Sequence, residues 1–142
     1  MAETVGFVGL GSMGLPMAQR VLAAGFALRV YNRTADKAAD LLAQGAQGAT
    51  TPAETVTPGG IVVTMLANDA ALEAVTLGEG GFLAALGPGG VHVSMSTVSP
   101  SLARRLADAH RAHGSHYVAA PVLGRPPAAA AGKLFILLSG PE

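Results

Sequence analysis

Short apolar runs bounded by turn residues alternate along this chain with stretches whose apolar positions recur at helical spacing. The runs are TVGFVG (4–9), ALRVY (27–31), GIVVTML (60–66), GVHVSM (90–95), HYVAA (116–120) and LFILL (134–138), with AQGAT (46–50) a weaker member of the set. They are continuous and rich in β-branched residues, as suits strands buried on both faces of a parallel sheet. Between them, Met13, Met17, Val21 and Leu22 mark one face of a helix over 13–24, which Gly25 then stops. A second helix is predicted over 35–44, capped by Asn32 or Thr34 and closed by Gly45. A shorter helix is predicted over 69–76. Ser99 and Pro100 open a further helix that ends before Gly114. The alanine run 128–131 reads as the entry to the last strand. This rhythm predicts an α/β domain, doubly wound, with a mostly parallel sheet and helices on both faces.

The densest signal is GFVGLGSMGLPMAQR (6–20), where a buried-type strand meets three glycines and then a helix. A strand that turns abruptly into a helix leaves the first helical N–H groups without partners, at the positive end of the helix dipole. Such a turn favours an anion. Gly9 suits the tight bend, Gly11 lets the backbone approach a pyrophosphate, and Gly14 lets helix and strand pack closely. Glycine is abundant here, 19 of 142 residues, so the spacing alone is weak. The strand before it, the helix after it and a second strand ending where a ribose contact belongs make it a dinucleotide-binding, Rossmann-type signature. That second strand ends VYNRT (30–34). Neutral Asn32 stands where NAD-specific proteins of this fold carry an acid, Arg33 offers a planar fork of donors, and the Thr34 hydroxyl adds another. NADP(H) is therefore the expected cofactor, with NAD the second choice. The competing account of Arg33 is a solvated helix start.

From Gly6 to Thr34 the chain resembles the N-terminal signature of the β-hydroxyacid dehydrogenases, which include 3-hydroxyisobutyrate dehydrogenase and relate to 6-phosphogluconate dehydrogenase. The segments TMLANDAALEAV (64–75), STVSP (96–100) and APVLGRPPAAAAGKL (120–134) resemble that family's later loops, so the likeness spans nearly the whole chain. It implies that Gly9, Leu10, Gly11, Ser12, Met13 and Gly14 hold the pyrophosphate, that Leu66 and Ala67 flank the adenosine ribose, and that Thr97 lies near the nicotinamide. Leu66 reads equally well as the last core residue of its strand, and Thr97 as a turn former. Ser96, Leu123 and Gly124 are the implied substrate contacts. The family usually carries an acid and a serine in the substrate segment, where this chain has Ala119 and Leu123, which implies a different or less polar substrate. Arg125 reads as exposed. Family catalysis uses a lysine in a helical C-terminal domain, beyond the residues 1–142 that form the NAD(P)-binding domain. Lys37 and Lys133 lack that context and read as surface residues, so no catalytic residue is assigned.

Composition narrows the partners. Nine basic and nine acidic residues cancel, without a basic block, which argues against nucleic acid. The longest uncharged stretch, 80–103, is broken by GPGG and by serines, so no membrane span is expected. The first residues lack the positive charge of a targeting peptide. Cysteine is absent, in keeping with a reducing compartment, and the cytoplasm is the default expectation. His110, His113 and His116 lie three apart but straddle the helix end at Gly114; they read as solvated or lightly packed and not as zinc ligands. His92 reads as a core residue of its strand. Apolar surface normally covered by a second domain would offer a route to a homodimer. A stand-alone dinucleotide-binding or interaction module without catalysis is the alternative function, since fold does not dictate reaction.

Overall fold

The computed structural model describes residues 3–141. Its main sheet has six strands, all parallel: β1 (Thr4–Val8), β2 (Ala27–Tyr31), β3 (Gln47–Gly48), β4 (Ile61–Thr64), β5 (Val91–Ser94) and β6 (His116–Ala119). Their order across the sheet is β3-β2-β1-β4-β5-β6, the doubly wound order that reverses between β1 and β4. The helices are α1 (Gly14–Ala23), α2 (Ala39–Ala43), α3 (Asp69–Leu77), α4 (Leu83–Leu86), α5 (Pro100–Ala112) and α6 (Pro126–Ala130).

Side chains alternate across the strands, so each face of the sheet has its own core. Phe7, Val30 and Val63 pack on one face with Met17 and Ala18 of α1, Leu41 of α2 and Ala129 of α6. On the other face Val8 and Val62 meet Phe82 and Leu86, while Leu72 of α3 joins Leu102 and Leu106 of α5. Five of the predicted long strands join this sheet, and the weak one appears as β3.

Four expectations are corrected. The run 134–138 does not extend the sheet: only β8 (Phe135–Ile136) forms, paired antiparallel with β7 (Val122–Leu123) in a separate ribbon. The alanine run belongs to α6, because Pro126 and Pro127 occupy its first turn, where no N–H partner is lost, and alanine then favours helix. The segment 35–44 splits into a 3-10 turn (Ala35–Ala38) and α2, and neither Asn32 nor Thr34 caps it with a side chain. Asn32 has other partners, described below. Finally, His110 is fully buried instead of solvated, because positions 102, 106 and 110 form the inward stripe of α5. Ser99 caps that helix as predicted, with its side chain accepting from Leu102 N–H.

His92 and His110 form a closed polar chain inside the second core. The Leu106 carbonyl, 2.7 Å from His110 Nδ1, can only accept, so that nitrogen carries a proton. His110 Nε2 is then the acceptor for His92 Nδ1–H at 3.3 Å, and His92 Nε2 accepts from the Thr64 hydroxyl at 2.9 Å. Both rings are neutral with their tautomers set. Phe82 and Tyr117 pack edge-on against His92. Burial pushes the His92 pKa well below its ordinary 6.5, aided by His110, and it lowers that of His110, with the Leu106 carbonyl opposing and His113 adding to the fall.

The unfolded chain therefore takes up these protons before the folded one does. The stabilising neutral state is complete above about pH 6.5 and is lost as pH falls from there towards the depressed folded values. Thermal unfolding followed from pH 8 to pH 5 should show the melting temperature falling by several degrees on the acid side, and the double variant His92→Phe, His110→Leu should show a flatter profile. Equal slopes in the two proteins would place the acid sensitivity elsewhere.

Candidate functional site

The turn between β1 and α1 is held from two sides. Gly9 N–H donates to the Tyr31 carbonyl at 3.0 Å, the last backbone bond of the β1–β2 pairing, and Leu10 N–H donates to Asn32 Oδ1 at 2.9 Å. Asn32 Nδ2 in turn donates to the Thr34 carbonyl at 2.9 Å. Past Leu10, the N–H groups of Gly11, Ser12, Met13 and Gly14 have no hydrogen-bond partner among the described residues. They open the N-terminus of α1, whose first turn has no acidic residue. Four free donors and a helix dipole meet at one point.

The three glycines differ in what excludes a side chain. Gly9 has φ +101°, and a Cβ there would strike the Met65 carbonyl. A Cβ on Gly14 would strike the Gly9 carbonyl, so α1 sits directly on the turn. Gly11 is different: nothing lies within 4 Å of the place its Cβ would occupy. The packing of the protein accounts for Gly9 and Gly14. For Gly11 it requires nothing, and the open space beside it is what a pyrophosphate backbone contact would fill.

A cleft of about 670 Å³ runs from this turn across the carboxyl ends of the strands, and Gly9, Gly11, Asn32, Arg33, Leu66 and Ala67 all line it. Sequence reasoning named each of these six. It did not anticipate Tyr31, Pro52 or Glu79, which share the lining; their positions depend on folding and carry no motif. Of the remaining predicted residues, Leu10 is buried behind the turn, Met13 is half-buried, Gly14 is buried, and Ser12 and Thr34 are exposed beside it. Arg33 is exposed and makes no ion pair among the described residues.

Thr97, Ser96, Leu123 and Gly124 do not line this cleft. Ser96 is buried, and its hydroxyl accepts from Leu66 N–H at 2.7 Å, so it bolts the loop after β5 to the loop after β4. The same loop is tied at its other end, where Ser99 donates to Asp69 from both backbone N–H and hydroxyl. Those bonds hold the Asp69 carboxyl below its ordinary pKa and keep it ionised. Thr97 lies exposed between the two ties. Asp69 was not foreseen; the sequence signal was its place in the first turn of α3, directly after the cap Asn68, whose side chain accepts from Ala71 N–H. Ala120 N–H donates to the Ser94 carbonyl and carries the β5–β6 pairing one step further, so 121–124 leave from the carboxyl end of β6. Leu123 is exposed there and pairs across the ribbon with exposed Phe135. No group of three metal-ligating side chains occurs among the described residues, and none of their helices is long and apolar enough to cross a membrane.

Comparison with known proteins agrees with this geometry. The family described as the NAD binding domain of 6-phosphogluconate dehydrogenase matches residues 4–142. An uncharacterized oxidoreductase of Bacillus subtilis is 49% identical over 96% of this chain and 48% of its own length. A 3-hydroxyisobutyrate dehydrogenase of Pseudomonas aeruginosa is 35% identical over 96% of this chain and 46% of its own. Among solved structures, Psf3 in complex with NADP+ and 2-OPP superposes with a TM-score of 0.89 at 33% identity, over 97% of this chain and 49% of that one. The chain thus spans about half the length of the proteins it matches. With the doubly wound sheet, the glycine turn and the cleft in one place, the chain belongs to the 6-phosphogluconate dehydrogenase NAD-binding domain family, as a Rossmann-type NAD(P)-binding domain of the β-hydroxyacid dehydrogenase kind.

Proposed function

We propose that this domain binds NADP(H) within a larger oxidoreductase that transfers hydride between the nicotinamide and a small carbonyl or hydroxy compound. The observation that carries the reading is Gly11, whose open side faces a cleft lined at its other residues by Arg33 and Leu66. When bound, the nicotinamide supplies the hydride chemistry, and the protein supplies orientation and electrostatics. The free N–H groups of residues 11–14 would donate to the pyrophosphate oxygens, and Leu66 and Ala67 would flank the adenosine ribose. Arg33, charged, exposed and unpaired, would take the 2′-phosphate with the Thr34 hydroxyl. Thr97 would sit beside the nicotinamide, in a loop that Ser96 and Asp69 hold in place.

Substrate would lie beyond the carboxyl ends of β5 and β6, where Ser96, Leu123 and Gly124 belong. The exposed apolar pair Leu123 and Phe135 favours a substrate less polar than a small hydroxy acid. No described side chain is proposed as the acid or base. That group would come from the helical half that the family resemblance implies. A dehydrogenase part is favoured over a non-catalytic module because the matched relatives include an oxidoreductase at 49% identity and a 3-hydroxyisobutyrate dehydrogenase at 35%.

Three measurements test this. Residues 1–142 alone should give no appreciable turnover with small hydroxy acids or alcohols and either cofactor; robust turnover lost on Thr97→Val would overturn the division of labour. Gly11→Val should weaken cofactor binding tenfold or more in calorimetric titration with an unchanged circular dichroism spectrum, whereas Gly14→Ala should destabilise the fold itself. Unchanged affinity for Gly11→Val would reduce the glycines to turn formers. Arg33→Ala should cost NADPH roughly 1.5–3 kcal/mol, about one to two decades in dissociation constant, and leave NADH nearly untouched in fluorescence titration at fixed salt. Equal losses, or an initial preference for NADH, would reverse the cofactor assignment.

A further inference from the structure

Asn32 occupies the position from which the second strand of this fold addresses the adenosine ribose, yet both ends of its amide have partners inside the protein. Its Oδ1 accepts from Leu10 N–H at 2.9 Å, and its Nδ2 donates to the Thr34 carbonyl at 2.9 Å. The Leu10 bond is needed because the backbone pairing of β1 with β2 ends at Gly9 N–H, and the next N–H belongs to a buried residue. Without a side-chain acceptor that donor would be buried unpaired. The Thr34 carbonyl also accepts from Lys37 N–H at 3.2 Å, the first bond of the 3-10 turn behind Arg33.

One amide therefore joins two pieces of the cleft: the turn whose following N–H groups face the pyrophosphate, and the bend that presents Arg33. We infer that Asn32 is a positioning residue that fixes these pieces relative to one another. The inference rests on the cofactor reading above for its functional meaning. The chemistry also explains the residue type. An aspartate would keep the acceptor for Leu10 but set a negative oxygen against the Thr34 carbonyl, whereas asparagine satisfies both. Because the turn serves the part common to both cofactors, loss of the latch should weaken both, and NADPH at least as much as NADH since the bend presenting Arg33 is released as well.

The test is amide hydrogen exchange and cofactor titration on the same ¹⁵N-labelled protein. Without cofactor, the Leu10 amide should exchange slowly in the natural sequence and at least about tenfold faster in Asn32→Ala, and that variant should bind NADH about tenfold more weakly and NADPH at least as much. Asn32→Asp, which retains the acceptor, should keep Leu10 protected while weakening NADPH more than NADH through charge repulsion. Unchanged Leu10 exchange in Asn32→Ala, exposure of Leu10 in Asn32→Asp, or a loss confined to NADPH in Asn32→Ala would each overturn the inference. If Asn32→Ala does not fold, Leu10 protection in Asn32→Asp decides. Arg33→Ala run in parallel separates the two readings: equal NADPH and NADH losses there remove the NADP(H) preference, while Leu10 exchange, read without cofactor, still tests the latch.

Discussion

The close seat of α1 on the turn that precedes it is the constraint from which the rest of the site follows. Gly14 touches the Gly9 carbonyl where any side chain would collide, so the helix starts within one residue's reach of the strand end. That proximity leaves the four N–H groups of residues 11–14 without partners among the described residues, at the N-terminal end of the helix dipole. It also brings Leu10 N–H to the end of β2, where Asn32 accepts it, and sets the Met65 carbonyl against Gly9 on the other side. The cleft opens at the reversal between β1 and β4 because the connections that follow these two strands run in opposite directions along the sheet, one to β2 and the other to β5.

Much of this was legible in the sequence. ALRVY became a strand with the same bounds, the runs at 4–9, 60–66, 90–95 and 116–120 became strands with ends within two residues of those expected, and GxGxxG marked the turn, because strand burial and glycine sterics are local properties written into residue type. What was not legible depends on distance along the chain. His110 looked like one of three surface histidines, and only the meeting of α5 with β5 shows that its partner is His92. Asn32 looked like a cap or a cofactor contact, and the N–H that its Oδ1 accepts lies 22 residues away. For Ser96 the resemblance implies a substrate contact, and the sequence did not show that its hydroxyl also accepts from Leu66 N–H, 30 residues earlier. The run LFILL has the composition of a core strand but lies outside the sheet, where hydrophobicity alone gives no warning.

The glycine turn, the bond from Leu66 N–H to Ser96 and the Asp69–Ser99 tie are held by contacts inside the protein. Arg33, Thr97, Leu123 and Phe135 are exposed beside them. On the proposed reading, the part common to both cofactors meets backbone N–H groups, while the choice between cofactors and substrates falls to exposed side chains on loops.

The ribbon has a colloidal consequence. Phe135 and Leu138 are 74% and 72% exposed, and with Ile136 and Leu137 between them they form an uncharged, apolar tetrapeptide without proline. A segment of that kind templates strand addition from other molecules whenever nothing covers it. Lys133 before it and Pro141 after it are the kinds of residue that interrupt such stacking, so the sequence confines the hazard to a few residues without removing it. Concentrated solutions of this domain with the ribbon bare should therefore cloud through the ribbon, with the Rossmann core still folded.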